Sequence, residues 1–102
     1  MACFADRSSD PLVLLVEDNE PTYEIMSEFL ALSGFSVSGA SDGVEAIESA
    51  QRLMPDVIVM DYQLPAINGC EAARAIKEDP RTRHIPILLL TCLLYTSPSP
   101  RD

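Results

Sequence analysis

The chain has 102 residues, and its 16 acidic and seven basic side chains give a formal net charge of −9. This length suits one small domain, and the acidic balance argues against a nucleic-acid surface, because phosphates are neutralised by Lys and Arg. The start, MACFADRSSD, has no secretory signal, and no apolar run approaches the roughly 18 residues that span a bilayer. Cys3, Cys70 and Cys92 share no metal-ligand spacing. We therefore expect a soluble, cytoplasmic protein with reduced thiols and no membrane contact.

Residues 1–10 are polar, and we predict that they form a disordered leader. A continuous apolar run, Leu12–Val16, follows and predicts a strand buried on both faces, as in a parallel sheet. Pro21 stands where the first turn of a helix tolerates proline. Met26, Phe29 and Leu30 recur at helical spacing and are predicted to face the core, before Gly34 ends the helix.

The rest of the chain repeats this alternation of strand and helix. A weak strand pattern covers residues 35–40, and continuous apolar runs predict strands at 57–60 and 85–90. Capping-box spacings at Asp42–Glu45 and Asn68–Glu71 predict the starts of two further helices. The order βαβαβαβ predicts an α/β fold with an open parallel sheet and helices on both of its faces.

Residues 92–102, CLLYTSPSPRD, differ sharply in composition from what precedes them. One interpretation is a short disordered end. A more specific interpretation is that the tail is translated adapter DNA. A DNA string that resembles the adapter of transposase-based sequencing libraries translates to these eleven residues without a mismatch. We predict that this tail is not native and that native sequence ends at Thr91.

Three of the predicted strands end in polar side chains. Glu17 and Asp18 follow the first strand, Asp61 follows the third and Thr91 the fourth. The carboxyl ends of parallel strands share one edge of the sheet, and a 2-1-3-4 strand order would bring the three carboxylates into one pocket. Like charges held that close favour a bound cation, and Mg²⁺ prefers oxygen ligands and keeps waters or a phosphate in its shell. A carboxylate beside the metal can attack phosphorus and form an aspartyl phosphate.

These residues resemble the receiver domain of two-component response regulators. The resemblance covers residues 11–91 and lies in LVLLVEDN, GVEAI, DVIVMD with the following YQLPAING, and IPILLLT. It implies a flavodoxin-like (CheY-like) fold that accepts a phosphoryl group from a histidine kinase or histidine phosphotransfer protein. It also implies a signalling domain rather than a stand-alone enzyme.

The same resemblance assigns roles to individual residues. It makes Asp61 the phospho-acceptor and Thr91 the switch hydroxyl. It makes Asp18 and Asp61 direct Mg²⁺ ligands and Glu17 a ligand through water. The backbone carbonyl of Gln63 would be the remaining Mg²⁺ ligand that the protein supplies. Pro65 and Gly69 would shape the loop that follows the acceptor.

The chain departs from the family pattern after the fourth strand. The family's fifth strand, the lysine that ends it and the last two helices have no counterpart. We therefore expect residues 11–91 to form an incomplete receiver, marginally stable and weakly phosphorylated, with residues 87–90 as an exposed apolar edge.

Three other functions fit the sequence less well. An aspartyl-nucleophile phosphatase needs a second acid two residues after the nucleophile, where this chain has Gln63. A flavin- or dinucleotide-binding module needs a glycine-rich turn after the first strand, where this chain has Glu17–Glu20. A receiver-like scaffold that binds a partner without phosphorylation would not need the acidic pair and the acceptor, both of which are present.

Overall fold

A computed structural model describes residues 10–90 as alternating strands and helices. None of the helices within this range is long and apolar enough to cross a membrane. Residues 1–9 of the predicted leader, Thr91 and the tail predicted to be non-native lie outside the described residues. The elements, in chain order, are β1 (Leu12–Val16), α1 (Glu20–Leu32), β2 (Ser36–Ala40), α2 (Gly43–Leu53), β3 (Val57–Asp61), α3 (Gly69–Glu78) and β4 (Ile87–Leu90).

The four strands form one parallel sheet in the order β2-β1-β3-β4. This confirms the predicted fold class and strand order. Val16 of β1 pairs with Met60 of β3, and Asp61 at the end of β3 pairs with Leu90 of β4. β4 begins two residues later than the apolar run predicts, because Pro86 has no N–H to donate to a ladder. Its carbonyl still accepts from the N–H of Ile58 at 3.0 Å.

The core lies on both faces of the sheet, because successive strand residues point to opposite sides. Leu14 and Ile58 are fully buried on one face, where α2 and α3 cover them with small and branched residues such as Ala46 and Ile76. Val13, Leu15 and Val59 form a smaller cluster on the other face, against α1. Continuous apolar strands are therefore explained by burial on both sides.

Helix α1 packs on the sheet with two of the three residues that were singled out at helical spacing, Met26 and Leu30, but not with the third. Tyr23, Met26 and Leu30 lie against the smaller cluster, and their spacing of three and four residues places them on one side of the helix. Phe29 lies about 100° around the helix from Leu30 and is 67% exposed. The prediction that Phe29 is a core residue is therefore wrong, although Met26 packs as predicted.

Side-chain caps start all three helices, as polar residues at the N-cap do. The Asn68 side chain accepts from the N–H of Glu71 at 2.8 Å and Glu71 accepts from the N–H of Asn68 at 3.4 Å, which confirms the predicted capping box of α3. At α2 only half of the prediction is right. Asp42 accepts from the N–H of Glu45 at 2.7 Å, but Glu45 accepts from the N–H of Ser41, one residue before the cap.

Candidate metal centre

Three carboxylates meet at the carboxyl edge of the sheet. Glu17, Asp18 and Asp61 each offer one oxygen, and these oxygens all lie within 4.8 Å of one another. Glu17 and Asp18 follow β1 directly, and Asp61 is the last residue of β3, the strand that pairs with β1. The pairing of Val16 with Met60 therefore brings the next residues of both strands together.

Hydrogen bonds of the backbone hold the end of β3 and the residues after it in place. The N–H of Tyr62 donates to the carbonyl of Leu90 at 2.8 Å, which ties the chain just after Asp61 to β4. The N–H of Gln63 donates to Oδ1 of Asp61 at 3.3 Å. Gln63 thus lies beside Asp61 and contacts it through its N–H, whereas the sequence analysis predicts a role for its carbonyl. Thr91, the predicted switch hydroxyl, lies outside the described residues.

Glu17 has unfavourable electrostatic surroundings. Partial burial raises the pKa of its carboxyl above the ordinary value of 4.5, and the nearby carboxylates of Asp61 and Asp18 raise it further. The N–H of Asn19, which donates to Oε2 at 3.2 Å, partly opposes this rise. A cation placed among the three groups would remove the repulsion that the metal-free site carries.

The loop after Asp61 contains a tight turn. The N–H of Ile67 donates to the carbonyl of Pro65 at 2.9 Å, a γ-turn pattern, and Ala66 at its centre has φ of 72°. This is the left-handed region, where residues other than glycine are strained. Apart from Pro65, no residue of this segment was singled out as the site of the turn, because alanine is not a turn-forming residue.

Gly69 closes the same loop by packing against the backbone of Asp61 and Tyr62. Its N–H donates to the carbonyl of Tyr62 at 2.7 Å. A Cβ at this position would collide with the carbonyl oxygen of Asp61 and would lie 2.9 Å from the Cα of Tyr62. Glycine is therefore required here by close approach, which gives a physical reason for the predicted role of Gly69 in shaping the loop.

An open cleft of about 320 Å³ adjoins Glu17 and Asp18, and its lining includes two further carboxylates that the sequence analysis did not assign to a site. Glu20 begins α1 and Glu45 lies in the first turn of α2, so both follow neighbouring strands at the same edge of the sheet. Their position after neighbouring strands of the predicted sheet is the feature of the sequence by which they could have been identified. The cleft is lined by Glu17, Asp18, Glu20, Tyr23, Gly39, Ala40, Ser41 and Glu45.

The donor set suits Mg²⁺, a hard cation that favours carboxylate oxygens and keeps open positions for water or a phosphate. Within residues 10–90 the cluster of Glu17, Asp18 and Asp61 is the group of acidic side chains close enough to share an ion. The partly buried Asp61 beside such an ion would present a nucleophilic oxygen.

Residues 13–96 match the family model of the response regulator receiver domain. The match covers most of the chain, and the chain belongs to this family of signalling domains. Its fold agrees, because the solved structures similar to it include CheY4, a chemotaxis response regulator of Vibrio cholerae. That structure matches with a TM-score of 0.79 and 35% identity, over 87% of this chain and 72% of CheY4.

Other relatives extend the comparison to the site. The receiver domain of the sensor histidine kinase PA1611 from Pseudomonas aeruginosa, with a magnesium ion coordinated in its active-site cleft, matches with a TM-score of 0.80 and 34% identity. That match covers 86% of this chain and 72% of the other. The polar-differentiation response regulator DivK of Brucella anthropi is 37% identical over 79 residues, which are 78% of this chain and 64% of DivK. The response regulator PleD of Caulobacter vibrioides is 38% identical over 81 residues, 79% of this chain and 18% of PleD. The chain therefore spans less than two thirds of the length of DivK and of PleD.

Proposed function

We propose that this receiver takes part in a phosphorelay by accepting a phosphoryl group on Asp61. The donor would be the phosphohistidine of a histidine kinase or histidine phosphotransfer protein, and the receiver would act in the cytoplasm. The observation that carries the proposal is the convergence of Glu17, Asp18 and Asp61 within 4.8 Å at the end of two paired strands. Membership of the receiver family supports the same reading.

In the proposed transfer, a carboxylate oxygen of Asp61 attacks phosphorus as the bond from phosphorus to the donor's imidazole nitrogen breaks. The electron pair of that bond returns to the imidazole, which then takes a proton from water, and the product is an acyl phosphate. Mg²⁺ held by Asp18, Asp61, the carbonyl of Gln63 and, through water, Glu17 would neutralise charge on the phosphoryl oxygens. Asp61 is thus a phospho-acceptor in its own modification, and the domain is not proposed to be a stand-alone enzyme.

Thr91 is proposed to be the switch hydroxyl that responds to this phosphoryl group. It directly follows Leu90, whose partner across the sheet is Asp61, so the order of the chain supports the assignment. A hydroxyl donated to a phosphoryl oxygen would favour an active conformation over an inactive one already present at equilibrium. Replacing Thr91 by Ala should leave labelling of Asp61 intact and remove the conformational response.

The proposal is tested by labelling the chain with radioactive acetyl phosphate and Mg²⁺. The expected result is a label that hydroxylamine releases, as an acyl phosphate requires, and that is lost when Asp61→Asn is introduced or Mg²⁺ is chelated. The matched control is Asp42→Asn, because Asp42 lies at the same end of the molecule and Asn also caps a helix. A label that persists in Asp61→Asn would contradict the proposal. Absence of any Mg²⁺-dependent label in the unmodified chain would favour a scaffold that is not phosphorylated.

A further inference from the structure

The loop between β3 and α3, residues 62–68, packs against the start of α2 through one side chain. Ile67 is half-buried and contacts the core on the face of the sheet that α2 and α3 cover. Gly43, the first residue of α2, lies directly against it. A Cβ on Gly43 would stand 2.5 Å from Cγ1 of Ile67 and 2.9 Å from its carbonyl oxygen. Ile67 therefore fits here because glycine lets the two segments approach closely, and we call this the α2–loop contact.

Neither side of the α2–loop contact can yield easily. In the first turn of α2, the Asp42 side chain accepts from the N–H of Glu45 at 2.7 Å, and the Asp42 carbonyl accepts from the N–H of Ala46 at 2.9 Å. On the other side, the N–H of Gly69 closes the base of the loop on the carbonyl of Tyr62 at 2.7 Å. The atoms nearest to an added Cβ belong to a β-branched side chain, which is stiff at χ1, and to the backbone. An added methyl group would therefore displace the loop.

A displacement at Ile67 would reach the acceptor through a short and restricted stretch of chain. Three residues separate Ile67 from Gln63, whose N–H donates to Oδ1 of Asp61 at 3.3 Å. Among these three, the ring of Pro65 fixes its φ, and Ala66 is held in the left-handed region with φ of 72°. The N–H of Ile67 closes this turn on the carbonyl of Pro65 at 2.9 Å. Few torsions are therefore left to take up a shift before it reaches Gln63.

We propose that Gly43 and Ile67 are positioning residues, because their contact holds the backbone of residues 63–67 so that Gln63 lies beside Asp61. The inference rests on the proposed function, in which the carbonyl of Gln63 is a ligand of Mg²⁺. Neither positioning residue would touch the ion. Both would act on metal affinity through the loop, as residues that orient metal ligands do.

The first test measures hydrogen exchange at the N–H groups of Ile67 and Gly69 by NMR in the metal-free chain. Gly43→Ala should speed exchange at both positions about tenfold, because the loop opens more often once the contact is strained. The matched control is Val44→Ala, since Val44 is the next residue along α2 and is 46% exposed. Unchanged exchange in Gly43→Ala, or an equal change in Val44→Ala, would overturn the proposal.

The second test measures Mg²⁺ affinity by isothermal titration calorimetry. Gly43→Ala should weaken binding about tenfold, the low end of the usual effect of residues that orient metal ligands. Helix α2 should persist, because alanine favours a helix more than glycine does, and far-UV circular dichroism checks this. Ile67→Ala should also weaken binding. Because the two residues are in contact, the double variant should lose less than the product of the two single losses. Losses that simply multiply would show independent sites and contradict the α2–loop contact as their cause.

The two tests separate this inference from the proposed function. If the unmodified chain binds Mg²⁺ and Gly43→Ala binds it equally well, the positioning role is wrong and the proposed function is untouched. If the unmodified chain binds no Mg²⁺, the proposed function fails. The exchange rates at Ile67 and Gly69 then decide by themselves whether the α2–loop contact positions the loop, because that measurement uses no metal.

Discussion

Glu17 shows how a single residue can oppose folding while serving the site. Its side chain is half-buried, and its pKa is raised first by that burial and then by Asp61 and Asp18. The folded chain therefore holds a proton on Glu17 more tightly than the unfolded chain does. By linkage, metal-free stability falls as pH rises from about the ordinary pKa of 4.5 through the raised value.

Replacing Glu17 by Gln should therefore raise the metal-free melting temperature at pH 7 by a few degrees, because it removes a charge that burial disfavours and that Asp61 and Asp18 repel. The gain should vanish near pH 4, where Glu17 is protonated in both states. Thermal unfolding followed by circular dichroism at both pH values measures this. Glu48→Gln, a change at an exposed position of α2, should have no such pH-dependent effect. An equal gain at both pH values would show that charge repulsion is not the cause.

Gly69→Ala should destabilise the chain by about 1–3 kcal/mol, the usual range for forcing an atom into packed surroundings. The added Cβ would push against the backbone of Asp61 and Tyr62, so Mg²⁺ affinity should fall as well. Gly34→Ala is the control, because Gly34 has φ of 100° and nothing within 4 Å of an added Cβ. It should cost about 1–2 kcal/mol through backbone strain alone. Chemical denaturation and Mg²⁺ titration separate the two variants: only Gly69→Ala should alter metal affinity, and an unchanged affinity there would contradict the close-approach argument.

At the level of elements, α3 depends on the capping box that starts it. Asn68→Ala removes the acceptor for the N–H of Glu71 and should cost about 1 kcal/mol. For a domain of this size that corresponds to a melting temperature lower by about 4–8 °C. Asn68→Ser should retain most of the stability, because Ser also accepts at the N-cap. Equal losses in the two variants would mean that the Asn68 side chain acts through some other contact.

The elements also show what the sequence could and could not predict. Strands β1 and β3 were predictable because burial on both faces makes them continuous apolar runs, and their polar ends then place Glu17, Asp18 and Asp61. The packing face of α1 was predictable only in part, with Phe29 misplaced, because that helix has apolar residues on two sides and periodicity alone cannot rank them. The turn at Ala66 was hidden for a different reason: its left-handed backbone occurs at an alanine, which is not a turn-forming residue.

For the molecule as a whole, the three carboxylates link metal binding to folding. An ion that binds the folded chain alone stabilises it by mass action, by about 1.4 kcal/mol when its concentration is ten times the dissociation constant. We expect Mg²⁺ to raise the melting temperature in a concentration-dependent way, and Asp18→Asn to abolish most of that rise. Glu78→Gln, which changes an exposed acid at the far end of α3, is the control. A rise of equal size in Asp18→Asn would indicate non-specific screening by salt.

The pairing of Val16 with Met60 also has a diagnostic use. The two acids after β1 and the acid that ends β3 meet only when these strands are aligned as they are here. If β1 slipped by one residue along β3, the acids after β1 would move by about 3.3 Å relative to Asp61. The side chains of the slipped strand would then point to the opposite face of the sheet. Tight Mg²⁺ binding can therefore serve as an assay for native strand alignment, able to distinguish correctly folded chains from compact misfolded ones that have the same helix and strand content.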